Sequence, residues 1–506
     1  NRTLVLKNVT LNGGVATKGG ALYAQNCELD IDESALQNGY ATAQGGGAYV
    51  QNCTGTVSNS LFQDSEAIEG GGIFVTNGQV TFSGNEIREN KAKATEWTAE
   101  YSGKDSGGGG LFVSSNSIFL DNLITENHAY GNGGGIHSLN NAPEWGSNVI
   151  KDNTCGNDGA GYFANKGTPW VHDNVFEDNK AADDAGGLRI YHGNLATIED
   201  NEFIGNECND AGGGLKLSHS TNIIRRNVFQ GNRAGGPGGG LTLDNETADV
   251  TDCTFIDNEA YRGAGMHIWR NEAVITIANC TFIGNHANYC GGGLQLDNND
   301  YKVKLTNLHL EGNSSSSDGG AICSEEFTFN DDLPEEDQYA TPSHFELTNS
   351  VMWGNVAGDD GAALYVRLGT VALDHVVMHD NKAPDEGASV AVKEDAYVQL
   401  TNSIMTGSEG SPAVFLITPD PEGLYTSSLN IEYSNIWGNE DGDFQGFEDP
   451  TGANGNISDD PLFTDPDEGD FTLQSGSPCI DSGTGQDADG SAADMGAFGG
   501  PQASVD

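Results

Sequence analysis

Asn174-Val-Phe-Glu-Asp-Asn179 with Ala185-Gly-Gly-Leu-Arg-Ile190, and then Asn201-Glu-Phe-Ile-Gly-Asn206 with Gly212-Gly-Gly-Leu-Lys-Leu217, are two copies of one pattern set 27 residues apart. Outward from this pair the glycine mark recurs at Gly20, Gly47, Gly72, Gly110, Gly135, Gly161, Gly187, Gly214, Gly240, Gly265, Gly293 and Gly320, with weaker copies near Gly361 and Gly387. The asparagine mark recurs at Asn122–Asn127, Asn148–Asn153 and Asn227–Asn232, and its final Asn persists at Asn258, Asn285, Asn313, Asn355 and Asn381. Most glycine steps are 25 to 28 residues. A period in that range is the mark of a solenoid.

Runs such as Leu215-Lys-Leu217, Leu241-Thr-Leu243 and Leu294-Gln-Leu296 place apolar residues two apart, which is strand periodicity. No segment sustains helical spacing over the ~10 residues an ordinary helix needs. The expected fold is therefore all-β: a single-stranded right-handed parallel β-helix of about 14 or more rungs, each rising ~4.8 Å on the last. Right-handedness follows from the rule for parallel crossovers, extended to this case. Glycine suits the turn because it accepts positive φ and close backbone approach. The recurring Asn belongs at bends, where its amide can bond up and down the stack.

The organisation expected is a β-helix over residues 1–440, interrupted by insertions near 91–106 (with Trp97 and Tyr101) and 325–343, and an irregular capping segment over 441–506. An open rung is an edge that needs covering, which gives the non-repeating tail its expected role. No run of 18 apolar residues exists, so no membrane span is expected. The chain begins inside an apparent strand, Thr3–Lys7, and reads as a processed or trimmed segment.

A net charge of −52, from 74 acidic against 22 basic residues, disfavours nucleic acid as a partner, because phosphates would be repelled. It favours a solvated secreted surface or bound Ca2+. The acids before the glycines form a column, Asp158, Asp184, Asp210, Asp318, Asp360 and Glu386, where like charges ~5 Å apart repel unless a cation lies between them. In the tail, Asp487, Asp489 and Asp494 also invite calcium, without the EF-hand order of ligands. No organic cofactor is expected.

The nine cysteines contain no C-x-x-C pair. Cys253 with Cys280, and Cys27 with Cys53, stand at matching offsets in adjacent rungs, close enough either to bridge or to stack as free thiols. Cys155 and Cys208 match two rungs apart, ~9.6 Å, too far to bond.

Counting from each last glycine, the second strand residue should point outward: Tyr49, Phe74, Phe112, His137, Phe163, Arg189, Lys216, Thr242, His267, Gln295. Tyr49, Phe74 and Phe112 read as an exposed aromatic stripe, or one covered by the 91–106 insertion. Outward fourth positions add Tyr191, Ser218, Asp244, Trp269 and Asp297. Arg189 and Lys216 on neighbouring rungs, near His192, His219, His267 and Trp269, make the candidate ligand face. Tyr191 and Trp269 offer ring faces for a sugar, Arg189 and Lys216 cations for its carboxylates, and Asp297 an acid or metal ligand. In an enzyme, one of Arg189 and Lys216 would take the proton beside a uronate while another cation stabilised the resulting charge, with His267, and Asp244 as an acid or metal ligand, in the same catalytic set.

Gly319-Gly-Ala-Ile322 and the Phe-x-x-Asn marks (Phe176–Asn179, Phe203–Asn206, Phe229–Asn232, Phe255–Asn258, Phe282–Asn285) resemble the repeats of polymorphic outer membrane proteins. The tail from Asp460 to Pro501 is similar to the end of secreted bacterial right-handed β-helix proteins. The resemblance covers nearly the whole chain and implies a bacterial surface or secreted passenger with an adhesive role, although no autotransporter barrel accompanies it. The function expected is a cell-surface or extracellular structural or adhesive protein that binds glycans, surfaces or copies of itself in a fibre or lattice. The alternative is a polysaccharide lyase, hydrolase or epimerase acting on an acidic glycan.

Overall fold

The computed structural model describes residues 2–93, 106–271, 273–299, 301–325, 343–417, 426–488 and 490–500. The insertion residues Trp97 and Tyr101, most of 325–343, and Asp489 lie outside the described residues. The described chain forms two compact units, Asn1–Ala248 and Asp249–Asp506. Both are right-handed parallel β-solenoids built from strands of 2 to 11 residues, and among the described residues there is no α-helix.

In the first unit each turn has three strands. Leu188–Tyr191 pairs in parallel with Leu215–Ser218, register Arg189↔Lys216; Val175–Glu177 pairs with Glu202–Ile204; and Lys180–Ala181 pairs with Glu207–Cys208. Among the described residues, nine strands in this unit follow the glycine mark, and five do so in the second. The Phe of each Asn-x-Phe-x-x-Asn mark is fully buried, and successive rings stack, Phe176 to Phe203 and Phe203 to Phe229 at 4.9 Å. Identical residues one rung apart stack at the rung spacing, which is why the mark repeats.

The asparagines form ladders, as the spacing leads one to expect. Asn179 Nδ2 donates to Ile150 O (2.8 Å) and to Asn206 Oδ1 (3.0 Å), while its Oδ1 accepts from the backbone N–H and the side-chain amide of Asn153 (3.1 and 3.0 Å). A parallel ladder runs through Asn122, Asn148, Asn174, Asn201 and Asn227. In the second unit Asn258, Asn285, Asn313, Asn355 and Asn381 repeat the device. Each amide pairs turn groups that would otherwise be buried without partners. Cys253 and Cys280 stand where the first ladder would carry Asn, and each thiol donates to the carbonyl two residues back (3.3 Å).

The column counted as outward is not on the surface. Tyr49, Phe74 and Phe112 are 2, 5 and 3 % exposed, and their rings continue a stack from Tyr23 through His137 to Phe163. The stripe expected to be exposed is thus a second buried spine. The cause is local: the loop before each glycine mark folds back over this strand. Lys18 Nζ donates to the Tyr49 hydroxyl (3.2 Å), and Thr242 Oγ1 to Pro237 O (3.0 Å). The first glycine of the mark lies directly on the spine. At Gly212, φ +76°, an added Cβ would come within 2.6 Å of Lys216 Cβ. Glycine is needed there for its backbone angle and for its missing side chain together.

In the second unit the tail runs along the flank of the rungs. Phe463, Phe471, Cys479 and Met495 pack on Val351, Val377 and Ile404, the outward residues of three successive strands. Asn349 Nδ2 donates to Ala497 O and Gly499 O (3.1 and 2.7 Å), and Asn402 exchanges hydrogen bonds with the Thr484 backbone. Within residues 441–506, to which the sequence gives a capping role, Phe444–Gln445 pairs in parallel with Val414–Phe415 and residues 454–457 bond to the backbone of 433–436 as a further rung, while the strap from Phe463 onward makes lateral contacts.

Candidate functional site

In the first unit the strands Leu188–Tyr191 and Leu215–Ser218 carry Arg189 and Lys216 side by side, as their register requires. Both are buried, at 4 and 9 % exposed, under the loop that contains Asp184. Lys216 Nζ donates to Asp184 Oδ2 at 2.7 Å, Arg189 lies 3.7 Å from the same oxygen, and Arg189 also donates to Ser218 Oγ (2.7 Å). Burial works against the Asp184 carboxylate, but Arg189 and Lys216 outweigh it and hold its pKa below the ordinary value. One carboxylate therefore engages both cations of the sequence-predicted face. Asp244 accepts from Ser218 Oγ at 3.2 Å and from Asn245.

The other acids of the expected metal column differ. Burial pushes Asp158 up to about 6, with Arg189 opposing it, and burial also raises Asp210, with Asp184 adding to it. Carboxylate oxygens of Asp183, Asp184 and Asp210 lie within 4.8 Å of one another. In the tail, Asp487 accepts from the Asp494 and Gly500 backbone, and Asp494 from the Asp481 N–H (2.7 Å), so both hold turns of the strap.

In the second unit His267 Nε2 and Asp297 Oδ2 are 2.9 Å apart, both side chains buried, and Gln295 donates to the other Asp297 oxygen (2.9 Å). Trp269 is half-buried beneath Arg270, whose guanidinium lies 4.6 Å from its ring. On the same side Arg262 sits 3.3 Å from Glu325, a buried acid that burial pushes up to about 7.

Cys27 and Cys53 stand with their sulfurs 3.1 Å apart without a disulfide, and Cys253 and Cys280 are likewise not disulfide-bonded. The disulfide present joins Cys290 to Cys323. Sequence reasoning missed it because it looked only at matching offsets in neighbouring rungs. This bridge runs instead from a residue before the glycine mark to the second strand residue of the next rung, a separation of 33. The same relation links Lys18 to Tyr49 (31 apart) and Asp184 to Lys216 (32 apart). A search for complementary residues at 31 to 33 would have found all three.

One buried acid carries no sequence signal, and one corner brings together Tyr191, His192 and His219, which the sequence places near the candidate ligand face. Glu246 is 1 % exposed, accepts from the Ser220 backbone and hydroxyl and from Asn222, and is pushed up to about 8 by burial. At one corner of the first unit His192 stacks on His219 with ring centroids 5.0 Å apart, and Tyr191 meets His192 edge-on at 4.1 Å.

One repeat, residues 307–325, matches the Chlamydia polymorphic membrane protein repeat. No curated protein matches the chain. The right-handed beta helix region matches over residues 2–206, 127–282 and 172–314, which together span more than half of the 506 residues, and with the parallel rungs described above this places the chain in the right-handed beta helix family.

Proposed function

We propose that this is a secreted or surface-displayed bacterial β-helix whose work is binding, to glycans or a cell surface, rather than catalysis. The observation that carries the reading is the burial of Arg189 and Lys216 around Asp184. A lysine and an arginine engaged with a carboxylate inside a covered spine neither reach a substrate nor release a pair of electrons to take its proton. The repeat match at 307–325 supports the surface location, since its description is of a membrane protein. No helix among the described residues is long and apolar enough to cross a membrane.

The test pairs two measurements on one preparation: binding to an array of neutral and acidic oligosaccharides, and incubation with uronate polymers followed by absorbance of unsaturated products and by chain length. Binding without turnover is the expected result. Turnover abolished by His267→Ala would overturn it, because the buried His267–Asp297 pair is the arrangement that favours an enzyme. Calcium in this reading stabilises the fold through Asp183, Asp184 and Asp210, and a melting temperature that is identical with calcium and with chelator removes it.

A further inference from the structure

The corner that follows eight of the nine post-glycine strands in the first unit is occupied by a residue with left-handed backbone: Asn26, Asn52, Asn77, Asn140, Lys166, His192, His219 and Asn245, all at φ between 47° and 55°. Asn fits this conformation because its short amide bonds locally, whereas lysine is strained there by roughly 1 kcal/mol. Three successive rungs nevertheless carry Lys166, His192 and His219, in a chain with 22 Lys and Arg and 11 His among 506 residues. Their backbones are in register, Lys166 N to Tyr191 O, His192 N to Ser218 O, and His219 N to Asp244 O, at 3.0 to 3.2 Å. All three side chains are exposed. Beside them Tyr191 offers a ring edge-on to His192, and on the side of lower residue number an open groove is lined by Asn116, Asn140, Asn141, Lys166 and Thr168.

Resting on the reading of a binding protein, we propose that this corner is the glycan site, and that its ligand is a largely neutral oligosaccharide carrying isolated carboxylates. The amides of the groove match sugar hydroxyls, the Tyr191 and imidazole rings match a sugar face, and the basic stripe matches a carboxylate. The rung step of ~4.8 Å is about one pyranose long, so a chain lying along the corner meets a similar set of groups at each sugar. A dense polyanion is disfavoured by the net charge of −52. The stripe is bounded at the next rung by Asp244 and Asn245, which limits it to one or two carboxylates.

The experiment uses the triple variant Lys166→Asn, His192→Asn, His219→Asn, which installs the residue that Asn140 and Asn245 already carry at this corner, so folding is preserved and melting is unchanged or raised. Titration calorimetry compares a carboxylated oligosaccharide with the same chain after reduction of its carboxyls, with anionic phospholipid vesicles as a third arm. The variant is expected to bind the carboxylated sugar at least tenfold more weakly, and the reduced sugar with a clearly smaller loss. The proposal is overturned if the native chain binds both sugars equally, if it binds neither, or if the stripe proves to bind vesicles instead. Equal binding of both sugars sinks this site but leaves the binding reading intact; turnover of a polysaccharide sinks that reading.

Discussion

Replacing Asn179 with alanine removes four hydrogen bonds at once: two that its Nδ2 donates, to Ile150 O and Asn206 Oδ1, and two that its Oδ1 accepts from Asn153. At about 1 kcal/mol net for each, the loss is about 4 kcal/mol. The groups left behind sit at fully buried positions, so water does not repay them. In a solenoid each rung contacts only its neighbours, so the damage is confined to the rungs on either side. Hydrogen exchange by mass spectrometry reads this directly. Amides of the peptides around Ile150–Asn153 and Asn206 should exchange about a thousandfold faster, at 1.4 kcal/mol for each factor of ten. Peptides several rungs away should stay within a factor of two or three. Asn179→Ser should cost about half as much, because Ser65, in the same ladder, accepts from Gly39 N (3.2 Å) and donates to Gln63 O (3.0 Å), keeping the local part of the device. If Asn179→Ala changed exchange by less than tenfold, or raised it evenly through the unit, the ladder would not be what holds the bends.

Lys216→Met leaves Asp184 buried with Arg189 at 3.7 Å as its remaining cation; about 3 kcal/mol of stability should be lost in chemical denaturation at pH 7, and the double variant with Asp184→Asn should recover most of it. Glu246, pushed up to about 8 from an unfolded value near 4.5, keeps its proton in the fold, so it makes stability fall as pH rises between those values. Glu246→Gln should flatten that slope and raise the unfolding free energy at pH 8 by a margin on the order of a few kcal/mol, while leaving pH 4 unchanged; an unaltered slope in chemical denaturation would refute the assignment. Cys290→Ser with Cys323→Ser opens a loop of 33 residues and should cost about 3 to 5 kcal/mol, whereas the same change at Cys27 and Cys53 should cost far less, as reductant-dependent melting would show.

The rung, the ladder and the Phe column were legible because each depends on one residue type recurring at one spacing. Asn179 needs Asn206 and Asn153 above and below, and the period states as much. Burial of the Arg189 strand on both faces was not legible. Alternation shows which residues share a side, but only the path of the Ala182–Gly187 loop shows that the second side is covered. The same loop explains why Asp184, expected in a column of metal ligands, is also the counterion of Lys216. Lys166 escaped notice because a corner residue is read from its backbone angle, which sequence does not display for a lysine.

Because Phe176, Phe203 and Phe229 are interchangeable, as are Asn179, Asn206 and Asn232, the core alone cannot tell a growing chain which rung it is laying down. A slip by one whole repeat would bury the same rings on the same rings. What distinguishes the rungs is the second spine, where Asp184 finds Lys216, Lys18 finds Tyr49 and Cys290 finds Cys323, and where a shifted turn would bring an acid against a phenyl ring or strand a cation. The covered column thus serves as an address written along a repetitive structure, making misassembly by a full rung costly in a fold whose core would otherwise permit it.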